Sequence, residues 1–501
     1  MYPASPKAKS LWPYAILMAG SLLLLVVNRG FFLGPRPLGP DEAFYATQAH
    51  AWSQGLVPSR DTWDTKPPGM ALIYLLIANL TGDSLRGVHV AGLLMLLLTG
   101  ILLIVLAREL GIERKFIPVV IAFLAIITST SMPIGETMSL LPDIPQALLA
   151  TGVILLVLRG GISGSASYCL AAGILVSLAI HLRPNAIIVW LPLLPMLALS
   201  PGSNPGVSGR LRLPLASIAG LVLGFVPITL YYLSLGALGE LLKWSSLHGL
   251  DYSIVAPTTL ICRAVRGLGR YARVFPIPVV LSIVGFVSIR RKAVAKTSMS
   301  TLDWPHRLLL IWIYGSLASL IPCWHFYRHY FIQIAPPIAI LCGIGFSRVL
   351  RCSGQRRLAW ISAIILSLAV LFPTLLNLRY TNRAKATAFL PEEAVASYIA
   401  RHSDTNDRVF VWPWRPYIYY YSRRLPAVRG INPTFYAAGE SRASSHLQKY
   451  QETLLLDLRQ TRPLYVTVES RKPPPQLLHT FFDKEYAYET TISNYRIYRR
   501  K

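Results

Sequence analysis

Two adjacent carboxylates, Asp41 and Glu42, stand in the segment Gly39-Pro40-Asp41-Glu42-Ala43-Phe44-Tyr45, directly after the first long apolar run. Dry carboxylates at the edge of a bilayer are costly, so the pair predicts water, a cation or a reacting group in front of it. It equally suits a helix start, with Asp41 as the cap and Glu42 in the first turn, and the two roles are compatible. Lys66 follows in Asp61-Thr62-Trp63-Asp64-Thr65-Lys66-Pro67-Pro68-Gly69. The proline pair restricts its backbone. An ammonium fixed at headgroup depth can hold a lipid phosphate or simply snorkel.

Asp143 lies in Leu140-Leu141-Pro142-Asp143-Ile144-Pro145, before another long apolar run. Either it caps that helix, or it faces the first acidic pair across a cavity, where carboxylates control a pKa or bind a metal. His181-Leu182-Arg183-Pro184-Asn185 and Trp324-His325-Phe326-Tyr327-Arg328-His329-Tyr330 add cations, with aromatics interleaved in the second. Arg183, Arg328 and His329 are therefore candidates for anion binding, Arg328 being a planar, multidonor cation suited to phosphate. Pro336-Pro337 interrupts the helix that follows, where a cavity wall can bend.

The elements that must position these residues are set by composition. Of 501 residues 53% are hydrophobic and 14% charged, too little charge to cover a soluble protein of this size. Apolar runs predict eleven membrane helices, near 12–29, 88–107, 116–132, 144–159, 166–180, 185–199, 213–234, 271–289, 307–322, 331–347 and 359–376. Gly69–Leu80 is too short for a comfortable span and reads as a juxtamembrane helix. With that choice the basic loops Arg108–Lys115, Arg210–Arg212, Arg290–Lys296 and Arg348–Arg357 fall on one side with the N-terminus, the cytoplasmic side by the positive-inside rule. Asp41, Glu42, Lys66, Asp143, Arg183, Arg328 and His329 then share the opposite face.

The formal charge of +26 would permit nucleic-acid binding, but its lysines and arginines sit in loops between apolar runs and in the tail. That placement points to membrane orientation and anionic lipid, and no nucleic-acid partner is expected. The five cysteines lack metal-ligand spacing. No glycine-rich phosphate loop of the P-loop or dinucleotide kind, GxSxG elbow or HExxH helix is found, which removes the main handles for an ATP-driven pump, a zinc protease or a membrane dehydrogenase.

After about residue 380 the pattern changes. Pro391–Arg401 reads as a helix with Glu392 and Glu393 in its first turn, Arg408–Trp412 and Leu464–Val468 as strands, and Gln448–Arg459 as a helix. Residues 1–376 are thus expected to form the membrane core and 377–501 a small extracytoplasmic α/β domain. An aromatic cluster from Trp412 to Tyr421 belongs to packing or to acceptor contact.

In order, the acidic pair Asp41-Glu42, the segment Asp64-Thr65-Lys66-Pro67-Pro68-Gly69, then Asp143, and Arg328-His329-Tyr330 before Pro336-Pro337 resemble the GT-C membrane glycosyltransferases. The closest pattern is that of the family uniting protein O-mannosyltransferases with lipid A aminoarabinose transferases. The resemblance implies an all-α polytopic GT-C core with the small tail domain, in a bacterial cytoplasmic (inner) membrane. It implies transfer of a sugar from a polyprenyl phosphate donor to a cell-envelope lipid, glycan or protein acceptor by inverting displacement. Asp41 would be the leading catalytic carboxylate, with Asp143 and Glu42 in support; Lys66 would hold the donor phosphate, helped by Arg328, His329 and Arg183. A divalent metal, if used, would fall to Asp41, Glu42 and Asp143. Phe44 stands where lipid A transferases often carry arginine, which speaks for sugar transfer in general over aminoarabinose transfer. The competing expectation is a transporter or flippase of lipid-linked sugars, although no repeated halves with broken helices are evident.

Overall fold

In lipid every backbone N–H and C=O must be satisfied within its own segment, so uninterrupted apolar runs become helices. The computed structural model describes residues 39–111 (without 65 and 83), 139–247, 257–295 (without 275), 304–351 (without 324), 390–433 and 447–501, with scattered positions in 19–34, 119–127 and 368–375. The first helices are α1 (Pro40–Ser53), α2 (Gly69–Thr81), α3 (Leu85–Glu109), α4 (Asp143–Ser163) and α5 (Ala166–Leu182). Then come the short α6 (Ala186–Trp190) and α7 (Leu193–Ala198), the long α8 (Val207–Ser234), and α9 (Leu238–Leu242) running into a π-turn at Lys243–Leu247. The remaining core holds α10 (Pro257–Val274), α11 (Pro276–Ala295), α12 (Trp304–Ala318), a 3-10 turn at Arg328–Ile334 and α13 (Ala335–Arg351).

Among the described residues α3, α4, α8 and the run Arg328–Val349 are long and apolar enough to cross a bilayer, and α10 with α11 adds a fifth if that bent pair is one span. The spans expected at 12–29, 116–132 and 359–376 lie largely outside the described residues. The reading of Gly69–Leu80 agrees with α2, whose 13 residues rise only about 20 Å against a core of about 30 Å. Two expectations change. The span placed at 271–289 is split: α10 ends at Val274, α11 starts at Pro276, and their axes differ by 102°. Pro276 opens the second helix, and the first carries four arginines, Arg263, Arg266, Arg270 and Arg273. The 185–199 helix is also two short pieces, α6 and α7, divided near Pro192.

α5 and α8 cross so closely that a Cβ on Gly173 would lie 2.0 Å from the Ser217 carbonyl oxygen, and one on Gly220 1.9 Å from that of Leu170. Small residues permit this approach where lipid supplies no hydrophobic drive. Nearby Trp190 donates its indole N–H to Ser217 at 3.0 Å, satisfying a buried polar group.

The tail is an α/β unit containing α14 (Pro391–Arg401), β1 (Arg408–Trp412), α15 (Pro416–Ser422), β2 (Leu425–Pro426), α16 (Leu447–Thr461), β3 (Tyr465–Glu469), α17 (Gln476–Glu485), β4 (Tyr486–Ile492) and β5 (Tyr495–Arg500). The sheet order is β2-β1-β3-β5-β4, with β1 parallel to β2 and β3, and β5 antiparallel to β3 and β4. Every residue of the central β3 is buried, as expected for a strand covered on both faces. The two strands and two helices expected here are present; the β4–β5 hairpin and α17 were not anticipated. The expected boundary at 376/377 lies outside the described residues.

Candidate active site

The helix holding the acidic pair begins two residues earlier than expected: Gly39 is the cap, Pro40 opens α1, and Asp41 and Glu42 both occupy the first turn. That turn favours anions through the helix dipole. The two neighbours then diverge. Glu42 is fully buried, one carboxylate oxygen accepting the Leu140 N–H at 2.8 Å and the other lying 3.1 Å from His89 Nε2. His89 reaches on through Nδ1 to the Gly34 carbonyl at 2.9 Å, and the buried Arg29 is within electrostatic range of Glu42. Tyr74 donates its hydroxyl to the Leu140 carbonyl at 3.0 Å. Both polar groups of Leu140 are thus clamped, by α1 and α2, three residues before Asp143. Glu42 is a fixing point for the loop that delivers Asp143.

Asp143 starts α4 itself, with Pro142 at the cap position. It is fully buried, and one of its oxygens takes the Arg183 guanidinium at 2.7 Å. Arg183 follows the last residue of α5 and lies over the Tyr330 ring at 4.2 Å. Beyond it Asn185 donates to the Ser319 carbonyl at 2.9 Å and accepts from Gln146 at 3.2 Å. A buried charge pair is maintained only with close geometry and further polar neighbours, and this one has both.

Lys66 is brought to this pair by an absence of bulk. A Cβ on Gly69 would come within 2.4 Å of the His181 carbonyl oxygen, so only glycine lets the start of α2 press against the end of α5. Lys66 Nζ donates to the Tyr45 hydroxyl at 3.1 Å, and its backbone N–H to Asp64 at 3.3 Å. Burial disfavours its charge, but Tyr45, Asp64 and Asp41 outweigh that and hold its pKa well above the ordinary lysine value, with Arg183 acting in the opposite sense. Lys66 is therefore a permanent cation at physiological pH. Asp41 is half-buried, and no hydrogen bond or ion pair to a described residue engages its carboxylate. It faces the field of Lys66 without being held by it.

Arg328 is exposed on the 3-10 turn, while His329 is buried, stacked on Tyr327 at 5.8 Å and edge-on to Tyr330 at 4.6 Å. Of the cations named from sequence, Arg183 is the one set into the Asp143 cluster. Arg263 donates to His325 Nδ1 at 2.9 Å; burial and then Arg263 push the His325 pKa down to about 4, so the ring is neutral at pH 7. Among the described residues no group of three or more His, Cys, Asp or Glu side chains is placed to hold a metal. Glu42 is committed to Leu140 and His89, and Asp143 to Arg183, so the donor set Asp41, Glu42 and Asp143 does not fit one shared ion.

The tail lies over this site. α15 packs on α1, and Trp414 meets Phe44 edge-on at 6.5 Å. Tyr417 is raised in pKa by burial, then by Glu392, Glu42 and Asp41, which puts it in the field of the acidic pair. Trp63 donates its backbone N–H to the Arg429 carbonyl at 2.7 Å, carries the Arg429 guanidinium over its ring at 4.8 Å, and stacks on Trp244 at 3.9 Å. The aromatic cluster divides: Tyr419 accepts the Val411 N–H at 3.1 Å within the tail, whereas Trp414 meets Phe44 and Tyr420 lines a cleft with Ala46, Ala49 and His50 of α1. His89 and Tyr74 were not picked out from the sequence. The signal for His89 was a histidine inside a membrane helix, a residue that needs a partner there.

Residues 65–237 match the family model described as dolichyl-phosphate-mannose-protein mannosyltransferase, and residues 391–501 that of the competence-induced protein Ccs4 C-terminal domain. No curated protein matches the sequence. Among solved structures the chain is similar to ArnT from Cupriavidus metallidurans bound to undecaprenyl phosphate, with a TM-score of 0.63 at 14% identity over 98% of both chains. The apo form of that protein gives 0.61 at 15% identity over the same shares. The oligosaccharyltransferase of Archaeoglobus fulgidus, in complex with Zn and sulfate, gives 0.51 at 13% identity over 91% of this chain and 68% of that one. At these identities the likeness is one of fold, and it covers core and tail together. The mannosyltransferase match runs from before Lys66 past Arg183, the stretch that holds Lys66, Asp143 and Arg183.

Proposed function

We propose that this chain transfers a sugar from a polyprenyl phosphate donor to a cell-envelope lipid or glycan on the outer face of a bacterial cytoplasmic membrane, by a single inverting displacement. The observation that carries the reading is the contrast among three carboxylates. Glu42 and Asp143 are buried and engaged, whereas Asp41 is half-buried, free of described partners and within the field of Lys66.

Direct displacement builds positive charge at the anomeric carbon and negative charge on the departing phosphate. Lys66, cationic throughout the physiological range, and Arg183 beside it would stabilise the phosphate, an electrostatic task suited to a low-dielectric pocket. Asp41 would orient the acceptor hydroxyl and take its proton as the new bond forms. The donor's isoprenoid tail would remain in the bilayer, with the tail domain covering the reacting groups. On this reading N-terminus and basic loops are cytoplasmic and residues 377–501 extracytoplasmic.

The test supplies purified protein with defined polyprenyl phosphate sugars and an extract of envelope lipids, and measures glycosylated product and free polyprenyl phosphate. Asp41→Asn should insert normally and lose roughly 10²–10⁴ in kcat, the usual contribution of a positioned base. Normal turnover by that variant removes Asp41 from the chemistry. Movement of intact lipid-linked sugar across vesicles without bond cleavage would favour a flippase.

A further inference from the structure

α10 has three faces. At the helical period, Ala264, Gly267 and Tyr271 turn inward: a Cβ on Gly267 would meet Phe326 at 2.7 Å, and Tyr271 stacks on Phe331 at 4.9 Å. Beside that stripe Ile261, Val265 and Leu268 are 60%, 65% and 43% exposed. On the opposite side Arg266, Arg270 and Arg273 are exposed at i, i+4 and i+7, and the 18-residue helix contains no acidic residue. It ends in a 102° turn into α11, an apolar helix.

An apolar stripe open to its surroundings, backed by an arginine row and joined at a near right angle to an apolar helix, is the arrangement of a helix lying in the membrane interface. We propose that α10 is an in-plane membrane helix that seats Ile261, Val265 and Leu268 among acyl chains and holds anionic phospholipid headgroups with Arg266, Arg270 and Arg273. Charge complementarity selects the occupant: three guanidinium groups in a row, unopposed on their own helix, favour phosphate-bearing headgroups with net negative charge over zwitterionic ones. The site is separate from the cations near Asp41 and does not depend on the transfer chemistry. It has a route to it nonetheless, because Arg263 on the same helix holds His325, and the rings of His325, Tyr327 and Tyr330 follow one another to Arg183.

The experiment reconstitutes the full chain in liposomes with spin-labelled phosphatidylglycerol or phosphatidylcholine and reads the motionally restricted lipid by electron paramagnetic resonance. The wild type should prefer the anionic probe, and Arg266→Gln/Arg270→Gln/Arg273→Gln should lower its affinity at the sites removed by about fivefold per arginine. High salt on the wild type should produce the same loss without any substitution, which keeps the test decisive if the triple variant inserts poorly. Unchanged selectivity in the triple variant, or wild-type selectivity indifferent to salt, overturns the proposal; it would leave an acidic protein partner as the occupant. Sugar transfer is not measured, so this outcome and failure of the proposed activity are distinguishable.

Discussion

The first turns of α1 and α4 are built alike, with a proline at the opening and an aspartate beside it. Their aspartates have opposite circumstances. Asp143 is sealed in and bound at 2.7 Å to Arg183, whereas Asp41 is half-buried with no described partner. The difference comes from the surroundings, since a guanidinium follows α5 beside one turn while Lys66, which faces the other, is engaged by Tyr45. A residue type at a helix start therefore does not fix its role; what lies opposite does.

Substitutions can break or sharpen this contrast. The largest stability effect is expected at the closed turn: Asp143→Ala should cost about 3–5 kcal/mol by leaving Arg183 buried without its counter-charge. Asp41→Asn should cost less than about 0.5 kcal/mol, as for surface changes away from specific contacts. Denaturation in a defined detergent compares the two, and equal losses would erase the distinction drawn between the turns. Glu42→Ala should fall between them, at about 1–3 kcal/mol, since the Leu140 N–H and His89 lose their acceptor.

Lys66→Gln should lower kcat/KM for the lipid donor by about 10–100-fold, the worth of one charge-assisted hydrogen bond, with little change in stability. An unchanged donor dependence would detach Lys66 from the phosphate. The smallest effect concerns pH. His325 has a folded pKa pushed down to about 4, below its ordinary value, so the unfolded chain takes up the proton first and stability falls as pH drops from about 6.5 toward 4. His325→Gln should flatten that part of the stability profile. A His325 pKa near 6.5 measured by NMR would contradict it.

Much of this arrangement could be read from residue order. Lys66 before two prolines, the acidic pair after an apolar run, and the strands at Arg408–Trp412 and Tyr465–Glu469 all follow from local chemistry. Pairing across distant segments could not. Asp143 and Arg183 were both named, but their ion pair joins positions 40 residues apart. Glu42 read as a reactive carboxylate because nothing local announces His89 or the Leu140 N–H. The split between α10 and α11 was hidden because the apolar run from Pro276 onward extends back to Tyr271 across a single arginine, Arg273. The β4–β5 hairpin does carry a signal in the sequence, the alternation Tyr486-Ala487-Tyr488 and Tyr495-Arg496-Ile497 around Ser493-Asn494.

The seat of the tail on Trp63 and Trp244 has a consequence for how the protein is built. Tyr450 joins those rings, its centroid 6.1 Å from Trp244, and Arg429 closes over Trp63. A cut after the membrane region would bare stacked indoles and strand Phe44 in water. Core and cover thus mature as one object, and a truncated gene product would be a sticky fragment rather than a lighter catalyst.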